Sequence, residues 1–215
     1  MCFLKILVLS NLFSEEGLLD RLRVISSRDS YDYYLIAGDL LRGPHFEYAE
    51  ELLNVLPLAN TFAVLGNNDP PELAELYDSH GIYVHGKKRK LGDWNLVGLG
   101  GGLPSPQPEA FELTEEKMAA ILESAGVDEF TILLTHYPPY GIFDIVSGIN
   151  IGSKSIRAAI DKRKPLMNIC GHIKGEGGKQ IVGETMVVKV ASAYTLHVTE
   201  IDLGNKIGVR DILIR

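Results

Sequence analysis

Four short stretches of this sequence hold residues that together could bind a cation: Asp39 in AGDL, Asn67 in GNND, His136 in LTHYPPYG and His172 in CGHIK. They offer one carboxylate, one amide oxygen and two imidazoles, a mixed nitrogen and oxygen set that suits a borderline divalent metal. Each follows an apolar run, as does a fifth polar residue, Asn11 in SNLF. In open α/β sheets ligands bind in the crevice outside the carboxyl ends of the strands, so loops placed in this way are expected to converge on one site. Taken singly, these residues have plainer readings. Asp39 and Asn67 read as turn residues, His136 before Tyr137-Pro138-Pro139 as a turn histidine, and Asp69 in DPPE as a helix N-cap with Glu72 at the third position.

The elements that must position these residues follow from hydrophobic periodicity. Leu4 to Ser10 is an apolar strand leading into a helical pattern through Leu18, Leu19, Leu22 and Ile25, with Ser14 as the expected N-cap. The unit recurs as a strand at Tyr33 to Ala37 with a helix near Tyr48 to Val55, and as a strand at Thr61 to Leu65 with a helix opened by Pro70 and Pro71. Three such units imply a parallel sheet with helical crossovers. Further strands are expected at Arg89 to Leu91, Asn95 to Leu99, Thr131 to Leu134 and Leu166 to Cys170, with helices after Thr114 and near Ser155 to Asp161. The stretch from Gly100 to Pro108, rich in Gly and Pro, reads as a mobile loop, and the tail alternates like antiparallel strands over Met186 to Val190, His197 to Leu203 and Ile207 to Ile214.

Composition bounds the function. At 215 residues a single domain over 1–215 is expected. A net charge of -7 disfavours nucleic acid as a partner, and the basic run Lys87-Lys88-Arg89-Lys90 reads as a solvated hairpin face. Cys2 and Cys170 have no paired spacing, which speaks against a disulfide framework or a zinc ribbon and points to a reducing cytoplasm. The apolar opening run is interrupted by Lys5 and lacks a basic leader or a small-residue cleavage site, so it is not expected to be a signal peptide, and no run has membrane-spanning length. Cys170 reads as a small core residue, and His45, His80, His85 and His197 as surface or packing residues.

The five blocks, SNLF, AGDL, GNND, LTHYPPYG and CGHIK, stand in an order that resembles the calcineurin-like metallophosphoesterase family over nearly the whole chain. That family's run is Asp-x-His, Gly-Asp, Gly-Asn-(His, Cys or Asn)-Asp, His, and Gly-His-x-His. The resemblance implies a four-layer α/β sandwich, with two packed mixed sheets flanked by helices. It also implies two metals about 3.5 Å apart, bridged by the Gly-Asp carboxylate and by a hydroxide that attacks phosphorus. Carried over position by position, the second-metal set is complete: Asp39, Asn67, His136 and His172. The first-metal set is degraded, with Asn11, Phe13 and Lys174 beside the shared Asp39. Phe13 cannot ligate, Lys174 is a cation, and Asn11 offers only a neutral oxygen. The histidine that many members use as leaving-group acid is here Asn68, which cannot serve as an acid.

Arg42 in GDLLRG stands one residue short of the family's arginine spacing, and with Asn68 and Lys174 it is placed to meet a phosphate. Lys174 is expected either to reach towards Asp39 and Asn11 or to point to solvent. These readings lead to one divalent ion at most, with Mn, Fe, Zn and Ni undistinguished. The protein is then a weak or specialised one-metal phosphoester hydrolase, or a catalytically inactive binding or scaffold module on the same fold. Its partner would be a small phosphorylated ligand or a protein, and not a membrane.

Overall fold

In the computed structural model, which describes residues 3–15 and 17–214, strands and helices alternate through the first half of the chain. They are β1 (Leu4–Leu9), α1 (Leu18–Arg28), β2 (Tyr33–Ala37), α2 (Phe46–Val55), β3 (Thr61–Val64) and α3 (Leu73–Ser79). There follow β4 (Lys88–Leu91), β5 (Trp94–Leu99), α4 (Glu115–Ser124), β6 (Thr131–Thr135), β7 (Ile145–Val146), β8 (Ile149–Asn150), α5 (Lys154–Arg163) and β9 (Met167–Cys170). The chain ends in β10 (Gly178–Val182), β11 (Thr185–Lys189), β12 (His197–Leu203) and β13 (Ile207–Leu213).

Among the described residues the strands form two large mixed sheets and the small β7–β8 hairpin. One sheet runs β13-β12-β1-β2-β3 and the other β10-β11-β9-β6-β5-β4. β1, β2 and β3 are mutually parallel, as are β5, β6, β9 and β11, while β12, β13, β10 and β4 add antiparallel pairs. Three buried clusters separate four layers. Leu7, Leu9 and Ile36 pack against α1–α3, Ile6, Val8, Ile132 and Ile169 lie between the sheets, and Val97, Leu133 and Val187 pack against α4 and α5. A central strand buried on both faces needs a continuous apolar run rather than alternation, which is why β1 and β6 read LKILVL and TILLT.

Helix starts follow the local chemistry where a cap exists. Thr114 accepts from the Lys117 N–H at the start of α4, and Ser153 accepts from the Ile156 N–H at the start of α5. Two expected caps are corrected. Ser14 is not the N-cap of α1, which follows Gly17; its hydroxyl instead accepts from the Arg42 N–H at 3.2 Å. Asp69 does not cap α3, whose N-cap position is Glu72. The loop expected to be mobile is tied down, since Gly101 N–H donates to the Leu65 carbonyl, Phe111 N–H to Asn67, and Leu113 N–H to Gly102. Cys170 is a buried free thiol, as expected, its pKa pushed up to about 12 by that burial; Cys2 lies outside the described residues. Among the described residues, no helix is long and apolar enough to cross a membrane.

Candidate metal centre

The carboxyl ends of β1, β2, β3, β6 and β9 meet at one rim, and each delivers one polar block there. The turns are sharp. Asn11, Phe13, Ser14, Asp39 and His172 all take left-handed backbone with φ between 53° and 62°, a conformation that L residues adopt only where surrounding structure imposes it. Glycine lets the strand ends approach. A Cβ on Gly66 would lie 2.0 Å from Asp39 Oδ1, and one on Gly38 would lie 2.5 Å from His136 Nδ1.

Asp39, Asn67 and His136 are buried and His172 is partly so. His136 Nδ1 lies 2.7 Å from the Ala37 carbonyl, which can only accept, so this nitrogen carries a proton. Its other nitrogen, Nε2, faces Asn67 Oδ1 at 2.7 Å and Asp39 Oδ1 at 3.5 Å, and both of those are acceptors as well. A neutral imidazole has one N–H, so it cannot satisfy both sides. Nε2 therefore presents its lone pair to the oxygens of Asn67 and Asp39, an orientation that suits a metal ligand. His172 Nδ1 approaches the same Asn67 oxygen at 2.9 Å, and its ring packs edge-on to His136 at 5.2 Å and against Tyr137 at 4.3 Å. Burial, the neighbouring His136 and Lys174 push the His172 pKa down to about 3, so it stands neutral at pH 7 with a lone pair to offer.

The Asn67 amide shows whether this donor set fits a divalent ion. Its Nδ2 is buried without a hydrogen-bond partner among the described residues. The amide turns its nitrogen towards Glu109 and its oxygen towards both imidazoles. One candidate ligand atom from each of Asp39, His136 and His172 lies within 4.8 Å of the others, so the residues fit an ion that takes nitrogen and oxygen ligands.

Around this set the polar loops brace one another. Asn68 donates its backbone N–H to Asp39 Oδ1 at 3.0 Å and its side-chain amide to Oδ2 at 2.8 Å, so its N–H groups support Asp39 rather than project towards a phosphate. Asp69 accepts from the Leu41 N–H at 2.8 Å and the Gly66 N–H at 2.7 Å, tying the Asp39 loop to the Asn67 loop. Burial and the charge of Asp39 raise the Asp69 pKa above the ordinary carboxylate range. Replacing Asp69 with alanine leaves two buried N–H groups without an acceptor, and is expected to lower unfolding stability by about 2 kcal/mol after the relief of the buried charge. Urea unfolding measures this, and an unchanged midpoint would refute the bracing role.

Asn11, Phe13 and Lys174 lie beside this set, and among the described residues the group of His, Cys, Asp and Glu side chains that could hold an ion does not extend to them. Asn11 is buried and its Nδ2 donates to Ser192 Oγ at 3.2 Å, while its Oδ1 has no hydrogen-bond partner among the described residues. Ser192 Oγ also accepts the Gly175 N–H at 3.0 Å, so Asn11 staples the loop that carries Lys174. The Phe13 ring lies edge-on to Tyr194 at 5.8 Å, with Lys174 Nζ 4.8 Å and Arg42 Cζ 5.3 Å from its centroid. No ion pair joins Lys174 to Asp39 among the described residues, so the expected reach to Asp39 gives way to a seat on the Phe13 ring.

One residue was missed. Glu109 comes from the loop after β5, and its pKa is raised chiefly by burial and further by the charge of Asp39. The Asn67 amide approaches Glu109 closely enough to oppose that rise, yet without hydrogen-bonding geometry. The signal that could have found it is topological: the loop after β5 emerges at the same rim.

A family model described as calcineurin-like phosphoesterase matches residues 4–175. Uncharacterized protein MJ1162 of Methanocaldococcus jannaschii is 30% identical over 169 residues, covering 75% of this chain and 78% of that protein. Among solved structures, TT1561 of Thermus thermophilus is similar with a TM-score of 0.76 at 19% identity, covering 100% of both chains. A dimetal phosphatase from Danio rerio is similar with a TM-score of 0.62 at 12% identity, covering 99% of both chains. At those identities the two structures speak for the fold alone.

Proposed function

The chain belongs to the calcineurin-like phosphoesterase family, and from that premise we propose that it is a one-metal member acting on phosphoesters slowly or on a specialised substrate. The observation that carries this reading is the convergence of Asp39, His136 and His172, whose candidate ligand atoms lie within 4.8 Å of one another, with the Asn67 oxygen facing both imidazoles. Asp39, Asn67, His136 and His172 would hold the ion. What a bound divalent ion supplies in such a site is positive charge that polarises a phosphoryl oxygen and makes water more acidic. The chain's own residues do the rest. The Ala37 carbonyl fixes the His136 tautomer and aims Nε2 inwards, which is how a metal-facing histidine is commonly oriented. Asn68 holds both Asp39 oxygens, and His172 stays neutral. Asn68 cannot serve as a leaving-group acid, which favours esters with good leaving groups.

A second reading has its own support. Asn11, Phe13 and Lys174 leave too little negative charge for a second ion, so the same pocket could hold a phosphorylated ligand or serve a protein partner without turnover. An assay of p-nitrophenyl phosphate and bis-p-nitrophenyl phosphate with added Mn²⁺ separates the two. The enzyme reading predicts turnover on the order of 100-fold or more below a dinuclear family member, abolished by chelator and by His136→Ala, because loss of the second ion removes several kcal/mol of charge stabilisation. Turnover indifferent to chelator would refute it, and none at all above the His136→Ala background would favour the binding module.

A further inference from the structure

The loop after β5 closes over Asn67 and brings one carboxylate, that of Glu109, up behind its amide. Several contacts fix the course of this loop. The Phe111 N–H donates to the Asn67 carbonyl at 3.0 Å, and the Gly102 N–H donates to the Phe111 carbonyl at 3.1 Å. Gly102 passes so close that a Cβ on it would stand 2.9 Å from the Asn67 Cβ and 3.0 Å from the Tyr137 ring. The Phe111 ring packs against His85 at 5.5 Å. Glu112 Oε1 accepts the N–H groups of Ser105 and Glu109, both at 3.1 Å, which closes the turn that carries Glu109. Glu109 itself is partly buried, near enough to the centre to feel the charges of Asp39 and His136.

The two ends of a side-chain amide have nearly the same shape and opposite roles, so its neighbours decide which end faces which way. On the inner side, Asn67 Oδ1 stands 2.7 Å from His136 Nε2 and 2.9 Å from His172 Nδ1. On the other side, the buried Nδ2 is turned towards Glu109. An ionised carboxylate only accepts, so an overturned amide would set oxygen against oxygen there. We propose that Glu109 is a positioning residue of the metal centre, whose carboxylate holds the Asn67 amide with Oδ1 directed at the ion, acting through Asn67 and not through its own charge on the metal. The proposal rests on the one-metal reading and deepens it by a residue that belongs to none of the five strand-end blocks. Partners that orient a ligand in this way are worth about 10–100-fold in metal affinity.

Calorimetric titration of the full chain with Mn²⁺ at pH 8 tests this in the parent, Glu109→Ala and Glu109→Gln, each with and without Asn67→Asp. Glu109→Ala is expected to weaken binding about 10-fold. Glu109→Gln keeps an oxygen for the Asn67 amide but no charge, and should come within about threefold of the parent. An aspartate at position 67 has two equal oxygens and nothing to orient, and Glu109 meets it as a like charge. In that background Glu109→Ala should therefore leave affinity unchanged or raise it. The nitrogen resonance of the Asn67 side-chain amide in metal-free protein gives a second readout, expected to move in Glu109→Ala and to return towards the parent in Glu109→Gln. Parent affinity in Glu109→Ala, a glutamine variant as weak as the alanine one, or an equal loss in both backgrounds would overturn the proposal, the last two by showing that Glu109 acts through its charge. The metal reading fails separately. If the parent binds no Mn²⁺, the one-metal reading falls and the amide resonance alone decides, standing for Glu109 if it moves and against it if it does not.

Discussion

Replacing His172 with alanine is expected to weaken Mn²⁺ or Zn²⁺ binding by about 100-fold or more, since even a group that only orients a ligand is worth about 10–100-fold. The side chain is only partly buried, so the fold should survive its loss, and urea unfolding provides the control. The effect arises because His172 and His136 converge on one amide oxygen, with Asp39 on the same side. Lys174→Ala serves as the contrast. It removes a positive charge near the cluster and should leave metal affinity equal or slightly higher. Unchanged affinity in His172→Ala would mean that the four residues are a hydrogen-bonded turn and nothing more.

A triple variant, Asn11→Asp with Phe13→His and Lys174→His, is expected to bind a second Mn²⁺ and to raise diesterase turnover by about 100-fold or more, recovering the charge stabilisation that a second ion supplies. Position 11 is buried, and Asn11 Oδ1 lacks a hydrogen-bond partner among the described residues, so a carboxylate there would be a buried charge. The metal-free variant should therefore be less stable than the parent by a few kcal/mol, with Mn²⁺ restoring the loss. Phe13 and Lys174 already touch, so histidines at both positions enter one space. A variant that folds, keeps the first ion and still gains no second would show that the rim has closed around Phe13 in ways that ligand identity alone cannot reverse.

How much of this was legible depended on whether a residue's partners lie close in sequence. β2 at Tyr33–Ala37 and β12 at His197–Leu203 match their sequence expectation to the residue, because apolar runs bounded by turn residues leave little freedom. β10 was missed, since its only large aliphatic residue besides Val182 is an exposed Ile181 on an edge strand opening with glycine. β7 and β8, two residues each, are below the length at which alternation can register. The clustering of Asp39, Asn67, His136 and His172 was legible from strand-end placement. The bracing was not. Asp69 reads locally as a cap, but the carboxylate is engaged by Leu41, 28 positions earlier, and Asn11 finds Ser192 at a separation of 181. Glu109 gives no local signal at all. The substitution at position 13 was visible as a lost ligand, while its gain, a seat for two cations, required the fold.

On the proposed reading, Asp39, Asn67, His136 and His172 hold one ion and no second ion binds beside it. Metal-free protein dialysed against increasing Mn²⁺, with bound metal counted by mass spectrometry against protein concentration, tests it most directly. Saturation at one ion per chain, lost in His136→Ala, is the expected result; saturation at two, or no binding above the level of that variant, would refute the one-ion site.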